Sequence, residues 1–246
     1  MIPHISSRQP PASTTLLFTL LNNRAIPHPP RNIATMATWD NHTVTNEHIL
    51  PYVDSSTAPP DIKAALQTLP FERNVFKLLA NGTVSFKPFM ALLTTMWSKD
   101  RKIRSTEWQL AVLRTAATLD APYEWDVNEP VARVFGMSEA QFSAIRNTEQ
   151  GDLPVELFTE RQRLVGRFID QLSGKNRVDL DLMTEMKEKF GDEEIMELFY
   201  THGVYSLLAR MMNSCRIDYD PPIPGLEDTL RKYNADAIEK EKAYKD

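Results

Sequence analysis

The feature that most constrains this sequence is a repeated pattern of helix starts and stops. Ser138 with Gln141, and Thr159 with Gln162, place a hydroxyl three residues before a side-chain amide. At that spacing each side chain satisfies a free backbone N–H of the other. Thr106 with Gln109 repeats the signal, and Gly136, Gly174 and Gly191 follow the periodic stretches. The pattern predicts helices over 61–69, 71–80, 89–99 (with Pro88 in the first turn), 106–119, 123–135, 138–147, 159–172, 181–190 and 192–215. A frayed helix is expected over 226–246. No segment shows strand alternation bounded by turn signals. The expected fold class is therefore all-α: a compact multi-helix domain over 61–225, preceded by an irregular arm over 41–60 and followed by a charged tail over 226–246.

The chain of 246 residues is 42% hydrophobic and 25% charged, which suits a packed globular core. A net charge of −5 argues against a nucleic-acid binder held by phosphate neutralisation. The single cysteine, Cys215, rules out an internal disulfide, a CxxC redox pair and a cysteine-rich zinc site. No apolar run approaches the roughly 20 residues needed to span a membrane, so no membrane partner is expected.

Residues 1–40 differ in composition. From Met1 to Trp39 there is no Asp or Glu, and Arg8, Arg24 and Arg31 lie among Ser, Thr and Pro. Basic, hydroxylated and acid-free is the composition of an organellar presequence. The alternative is upstream sequence before a start near Met36. The first predicts a mitochondrial protein and the second a cytoplasmic one; disorder fits both.

Two segments carry candidate chemistry. In Glu107–Asn128, Trp108, Val112, Thr115 and Leu119 share one helical stripe. Arg114 falls between core-facing positions, where a carboxylate partner is expected, because an unpaired buried charge is costly. Glu124 and Trp125 open the next helix. One reading of Glu124 is a cap or a salt bridge to Arg114, favoured by the helix dipole. The other is a proton donor or acceptor in a pocket walled by Tyr123 and Trp125, with a raised pKa. In Ile195–Asn213, Leu198, Phe199, His202, Tyr205, Ala209 and Met212 recur at three- and four-residue spacing. This puts His202 on the apolar face with Tyr205 one turn on. Gly203 inside this helix costs roughly 1 kcal/mol against Ala, which suggests close approach of another helix or a ligand. Arg210 is expected in a surface or intersubunit ion pair.

Arg114-Thr-Ala-Ala followed by Tyr123-Glu124-Trp125 resembles the carboxymuconolactone decarboxylase and alkylhydroperoxidase D-like superfamily. Phe135-Gly-Met-Ser138, Phe158-Thr-Glu160 and Gly203-Val-Tyr-Ser-Leu-Leu-Ala-Arg210 fit its sequel. The resemblance covers about residues 65–220 and implies an all-α domain that assembles as a homotrimer or homohexamer. It also exposes departures. The two cysteines of peroxidase members fall on Ala121 and Glu124, their histidine on Asn128, and their upstream glutamate on Gln109. Without a thiolate there is no attack on a peroxide. The decarboxylase branch keeps Glu-Trp and then a histidine, and here Asn128 stands in its place.

The residues that remain point to acid–base chemistry with no cofactor and no metal. His4, His28, His42 and His48 lie in the N-terminal part, and they and His202 lack HxxxH or HExxH spacing. No GxSxG, P-loop or dinucleotide fingerprint is present. The expected activity is a lyase, decarboxylase-like, on a small carbonyl-containing or lactone acid of a specialised pathway. Glu124 and His202 would transfer protons, and Tyr205 and Tyr123 would donate hydrogen bonds. Arg114 would hold a carboxylate or orient Glu124. Trp125 and Trp108 would wall the pocket, and Asn128 would contact substrate. The alternatives are a redox-neutral isomerase or cyclase, and a catalytically silent oligomeric binding protein. The last predicts that Glu124 and His202 do not share a pocket.

Overall fold

The computed structural model describes residues 47–244; the presequence-like segment, residues 41–46 of the arm, residues 245–246 of the tail, and His4, His28 and His42 lie outside the described residues. Eleven helices and no strand occur among the described residues. They are α1 (Pro60–Leu66), α2 (Asn74–Leu79), α3 (Thr83–Thr95), α4 (Ser105–Thr118), α5 (Pro122–Val134) and α6 (Glu139–Arg146), then α7 (Glu160–Lys175), α8 (Leu180–Lys189), α9 (Asp192–Cys215), α10 (Leu226–Tyr233) and α11 (Ala235–Glu241).

Helix α4 is the axis of the domain. Every residue from Glu107 to Ala117 is buried, with α5, α6, α7 and α9 packed around it. A helix enclosed on all sides must satisfy its polar residues inside the protein. Arg114 does so by donating to both carboxylate oxygens of Asp170 on α7, at 2.6 and 2.9 Å. It also donates to the carbonyls of Ile145 and Asn147. Its carboxylate partner is thus not Glu124, because the side chain points toward α7 and away from the start of α5.

The hydroxyl–amide caps at Ser138 and Thr159 form as expected, each accepting from the Gln backbone N–H three residues on. The cap expected at Thr106 does not. Helix α4 starts one residue earlier, and Glu107 takes the capping position by accepting from the backbone N–H of Arg104. Pro88 lies inside α3, which begins at Thr83 rather than at 89. The missing N–H of Pro88 would have bonded the Val84 carbonyl, and Val84 is exposed, so water can hydrate that group. Helix α7 runs through Gly174 and ends at Asn176, which adopts the left-handed conformation (φ 58°) of a helix stop.

The C-terminal segment, expected to fray, forms α10 and α11 instead. Leu230 is fully buried against the core and Ala237 nearly so, which anchors an otherwise charged segment. The described part of the arm is irregular up to Pro60. It is tied along the domain by Ile49 N–H to the Cys215 carbonyl and by Val53 N–H to the Lys77 carbonyl. His48 bonds Asp218 at 2.9 Å. No described helix is long and apolar enough to cross a membrane.

Candidate active site

The predicted site residues separate into several groups. One group meets in an inner chamber of about 40 Å³, lined by Glu124, Asn128 and Val127 of α5 and by Tyr205, Leu208 and Met212 of α9. Val75 and Phe76 of α2, Leu93 of α3 and the connecting residues Leu69, Phe71, Arg73 and Trp97 complete the wall.

Glu124 sets the chemistry of this chamber. It is the third residue of α5, only 1% exposed, and neither carboxyl oxygen has a hydrogen-bond partner. The N-cap N–H that a first-turn glutamate would accept from is that of Ala121, and it already bonds the Ala116 carbonyl. Burial therefore dominates and pushes the Glu124 carboxyl well above the ordinary glutamate range. Tyr205 is buried beside it, and its phenol is pushed far up, first by burial and then by the nearby Glu124 charge. Both shifts favour the proton-bearing forms. Asn128 anchors its amide on the Glu124 backbone carbonyl at 2.8 Å.

Arg73, which carries no helical or cap signal in the sequence, supplies the cation of the chamber. It is 5% exposed; one terminal nitrogen bonds Asp220 at 3.1 Å and the other has no partner. Asp220 also accepts from the Tyr123 hydroxyl at 2.7 Å and from the Asn74 N–H at 2.7 Å. Tyr123 thus serves the tie between α5 and the segment after α9, and does not face Glu124. Gln109 is fully buried in α4, and neither amide atom has a partner.

His202 lies outside the chamber. Its Nε2 meets the hydroxyls of Ser173 on α7 (3.1 Å) and Ser206 (3.2 Å). Burial, then the Arg210 charge, lower its pKa to about 4, so the ring is neutral at pH 7. The three- and four-residue spacing locates His202 near the α7 seam, one position off the face that Tyr205 shares with Glu124. Trp125 is turned toward α6: its indole N–H donates to Glu129, and Arg146 stacks on its ring at 4.4 Å.

Trp108 lines a separate outer cavity of about 220 Å³ between α3, α4 and α9. Arg101 stacks on it at 4.4 Å, and Trp97 of the inner chamber meets it edge-on at 5.2 Å. This pair of indoles stands between the two cavities. Arg101 is buried with no carboxylate within ion-pair distance among the described residues, and its pKa falls to about 10, from burial opposed by Glu241 and Glu197. Among the described residues no group of His, Cys, Asp and Glu side chains is arranged to hold a metal ion.

No family model and no curated protein sequence matches this chain. Solved structures do. An uncharacterised peroxidase-related protein of Ralstonia eutropha JMP134, described as an alkylhydroperoxidase AhpD core, superposes with a TM-score of 0.60. It is 20% identical over 75% of this chain and 97% of its own. The chain has an AhpD-like fold. A peroxidase-related protein of Silicibacter sp. TM1040 shares this fold at a TM-score of 0.59 and 13% identity, over 77% of this chain and 98% of its own. So does the debrominase Bmp8 in complex with 2,3,4-tribromopyrrole, at 0.58 and 15% identity over 78% of this chain and all of its own. Within this AhpD-like frame the lone cysteine, Cys215, is at the end of α9, remote in sequence from Ala121 and Glu124.

Proposed function

We propose that the protein is an enzyme of cofactor-free acid–base type, a decarboxylase-like lyase on a small carbonyl-containing or lactone acid. The observation that carries this reading is the Glu124 carboxyl, buried without a partner beside Tyr205 in a chamber that also holds a free Arg73 donor. An unpaired buried acid is costly to keep, and perturbed carboxyls of this kind concentrate at functional sites.

In the proposed reaction Arg73 holds a carboxylate that the substrate retains. The bond to the departing carboxylate breaks, CO₂ leaves, and the electron pair moves onto the carbonyl oxygen. Tyr205 donates a hydrogen bond to that developing enolate oxygen. Glu124 then gives its proton to carbon and recovers one from water. His202 has no part in this scheme, and Trp125, Tyr123 and Arg114 act as structural supports. The chamber is large enough for water but not for such an acid. Binding therefore requires the wall to move, and the Leu69–Arg73 connection is the non-helical part that can yield.

The same groups suit an isomerase or cyclase, in which Glu124 donates one proton and its conjugate base removes another. A silent binding protein is favoured by one observation, the separation of His202 from Glu124. Metabolite profiling of cells with and without the gene separates these readings. A compound heavier by CO₂ than the missing product supports the lyase, and an isomer supports the second reading. The compound found is then given to the purified protein. Glu124→Gln is expected to lower turnover about 100-fold or more. Unchanged turnover in that variant, or binding without turnover by the wild type, contradicts the role of Glu124.

A further inference from the structure

The proposed reaction makes no use of the outer cavity, yet this is the larger of the two spaces. Leu92 and Met96 of α3, Ile103, Trp108 of α4 and Tyr200 of α9 give it an apolar wall around about 220 Å³. A dry apolar cavity of about 150 Å³ already admits benzene. A six-membered ring with one polar group therefore fits here, whereas the inner chamber of about 40 Å³ has no room for it.

Arg101 determines what that polar group is. Its side chain lines the cavity and is 6% exposed. It donates to the Met96 carbonyl at 2.9 Å and to the Ser105 hydroxyl. Its Nε has no partner, and neither has the indole N–H of Trp108, on whose ring it stacks. A guanidinium carries five N–H donors and keeps its charge at pH 7, so donors are left over. The other two buried arginines among the described residues each hold a carboxylate: Arg114 holds Asp170, and Arg73 holds Asp220. The acids nearest Arg101 are committed elsewhere. Glu197 accepts from the backbone N–H groups of Lys102 and Ile103, and Glu241 from that of Ser105. A buried cation without a contacting anion is costly. A carboxylate brought to it gains charge-assisted hydrogen bonds.

The rest of the lining selects what the carboxylate is attached to. The Met96 thioether and the Tyr200 and Trp108 rings favour an aromatic body. Asp100 and Glu197 also line the cavity, so a second negative group on the ligand would meet like charges.

We infer that the outer cavity binds a small aromatic monocarboxylate, with its carboxylate on Arg101 and its ring against the apolar wall between α3 and α9. This site lies beyond the reaction proposed for Glu124 and does not depend on it, because the Trp97 and Trp108 indoles stand between the two spaces.

Sodium benzoate is the probe. The tryptophans of the full chain are labelled with ¹⁵N, the Trp108 indole signal is assigned by its loss in Trp108→Phe, and benzoate is titrated at pH 7. The expected result is a saturable shift of the Trp108 signal with a Kd of about 1 mM or tighter, while the signal of Trp125, which faces α6, stays in place. Benzamide lacks the charge and phthalate adds a second one; each is expected to bind weaker by about tenfold or more. Arg101→Gln should weaken benzoate binding by a similar factor. Should that variant fail to fold, Leu92→Trp tests the same site from its exposed rim, by filling the cavity and abolishing the shift. The inference is overturned by the absence of a saturable shift, by benzamide or phthalate binding as tightly as benzoate, or by binding that survives Leu92→Trp. Loss of benzoate binding in Glu124→Gln also overturns it, since the probe would then occupy the inner chamber.

Discussion

Glu107 and Glu124 hold the same place in adjacent helices. Each is the third residue of its helix, and each is 1% exposed. Their surroundings are opposite. Glu107 caps the Arg104 N–H and accepts two bonds from Arg161, at 2.6 and 3.0 Å. Glu124 has neither a capping duty nor a cation. The first is a charge made tolerable by its partners; in the second their absence favours the protonated acid. Sequence position and burial thus fix where a carboxyl sits, and the partners decide which protonation state it keeps.

Removing the partners of the first should produce the largest change. Arg161→Ala removes two of the bonds to the buried Glu107 carboxylate, leaving it the Arg104 N–H and the Arg104 guanidinium at 3.9 Å, and also frees Glu194, which shares the same guanidinium. A loss of about 3 kcal/mol is expected, which calorimetry at pH 7 should register as a Tm lower by roughly 6–12 °C. The equivalent change at the second site should not destabilise. Glu124→Gln keeps the shape and removes the titrating group, so at pH 7 the variant should melt at or above the wild-type temperature.

The pH dependence sharpens the contrast. A carboxyl whose folded pKa is raised binds its proton more tightly in the folded state. Its contribution is complete below the ordinary glutamate value of 4.5 and is lost as pH rises toward the folded pKa. The stability advantage of Glu124→Gln should therefore grow from pH 5 to pH 8, at up to about 1.4 kcal/mol per pH unit, and its Tm advantage with it. A constant difference across that range would show that Glu124 is ionised throughout.

His202 should give the smallest effect. Its folded pKa of about 4 lies below the ordinary 6.5, so its contribution is present above 6.5 and is lost as pH falls toward 4. His202→Asn should cost about 1 kcal/mol at pH 7, through the two serine contacts. It should flatten the decline in Tm below pH 6.5. Turnover measured with the substrate from profiling should be unchanged, in contrast to Glu124→Gln.

These differences also mark how far the sequence could be read. The caps at Ser138 and Thr159 are local, written in residues three apart, and they form as read, whereas α3 begins six residues before its expected start and α7 runs past its expected end. Glu124 and Tyr205 were legible as a first-turn acid and an apolar-face phenol, and they do meet. Arg114 was legible as a buried cation, but Asp170 lies 56 residues on, and no local pattern names such a partner. Helical spacing placed His202 near the core but not at α7 rather than α5, a difference of one position around the helix. Arg73 had no signal at all, because its burial arises from Asp220, 147 residues away. Tertiary pairing, which decides which charges are free, is the part that sequence periodicity does not encode.

The most direct measurement is the ionisation of Glu124 itself. Glutamate carboxyls labelled with ¹³C can be titrated by NMR, with the Glu124 resonance assigned by its loss in Glu124→Gln. The account predicts a Glu124 carboxyl that titrates well above the ordinary glutamate value. A Glu124 resonance that titrates at or below the ordinary glutamate value would contradict it.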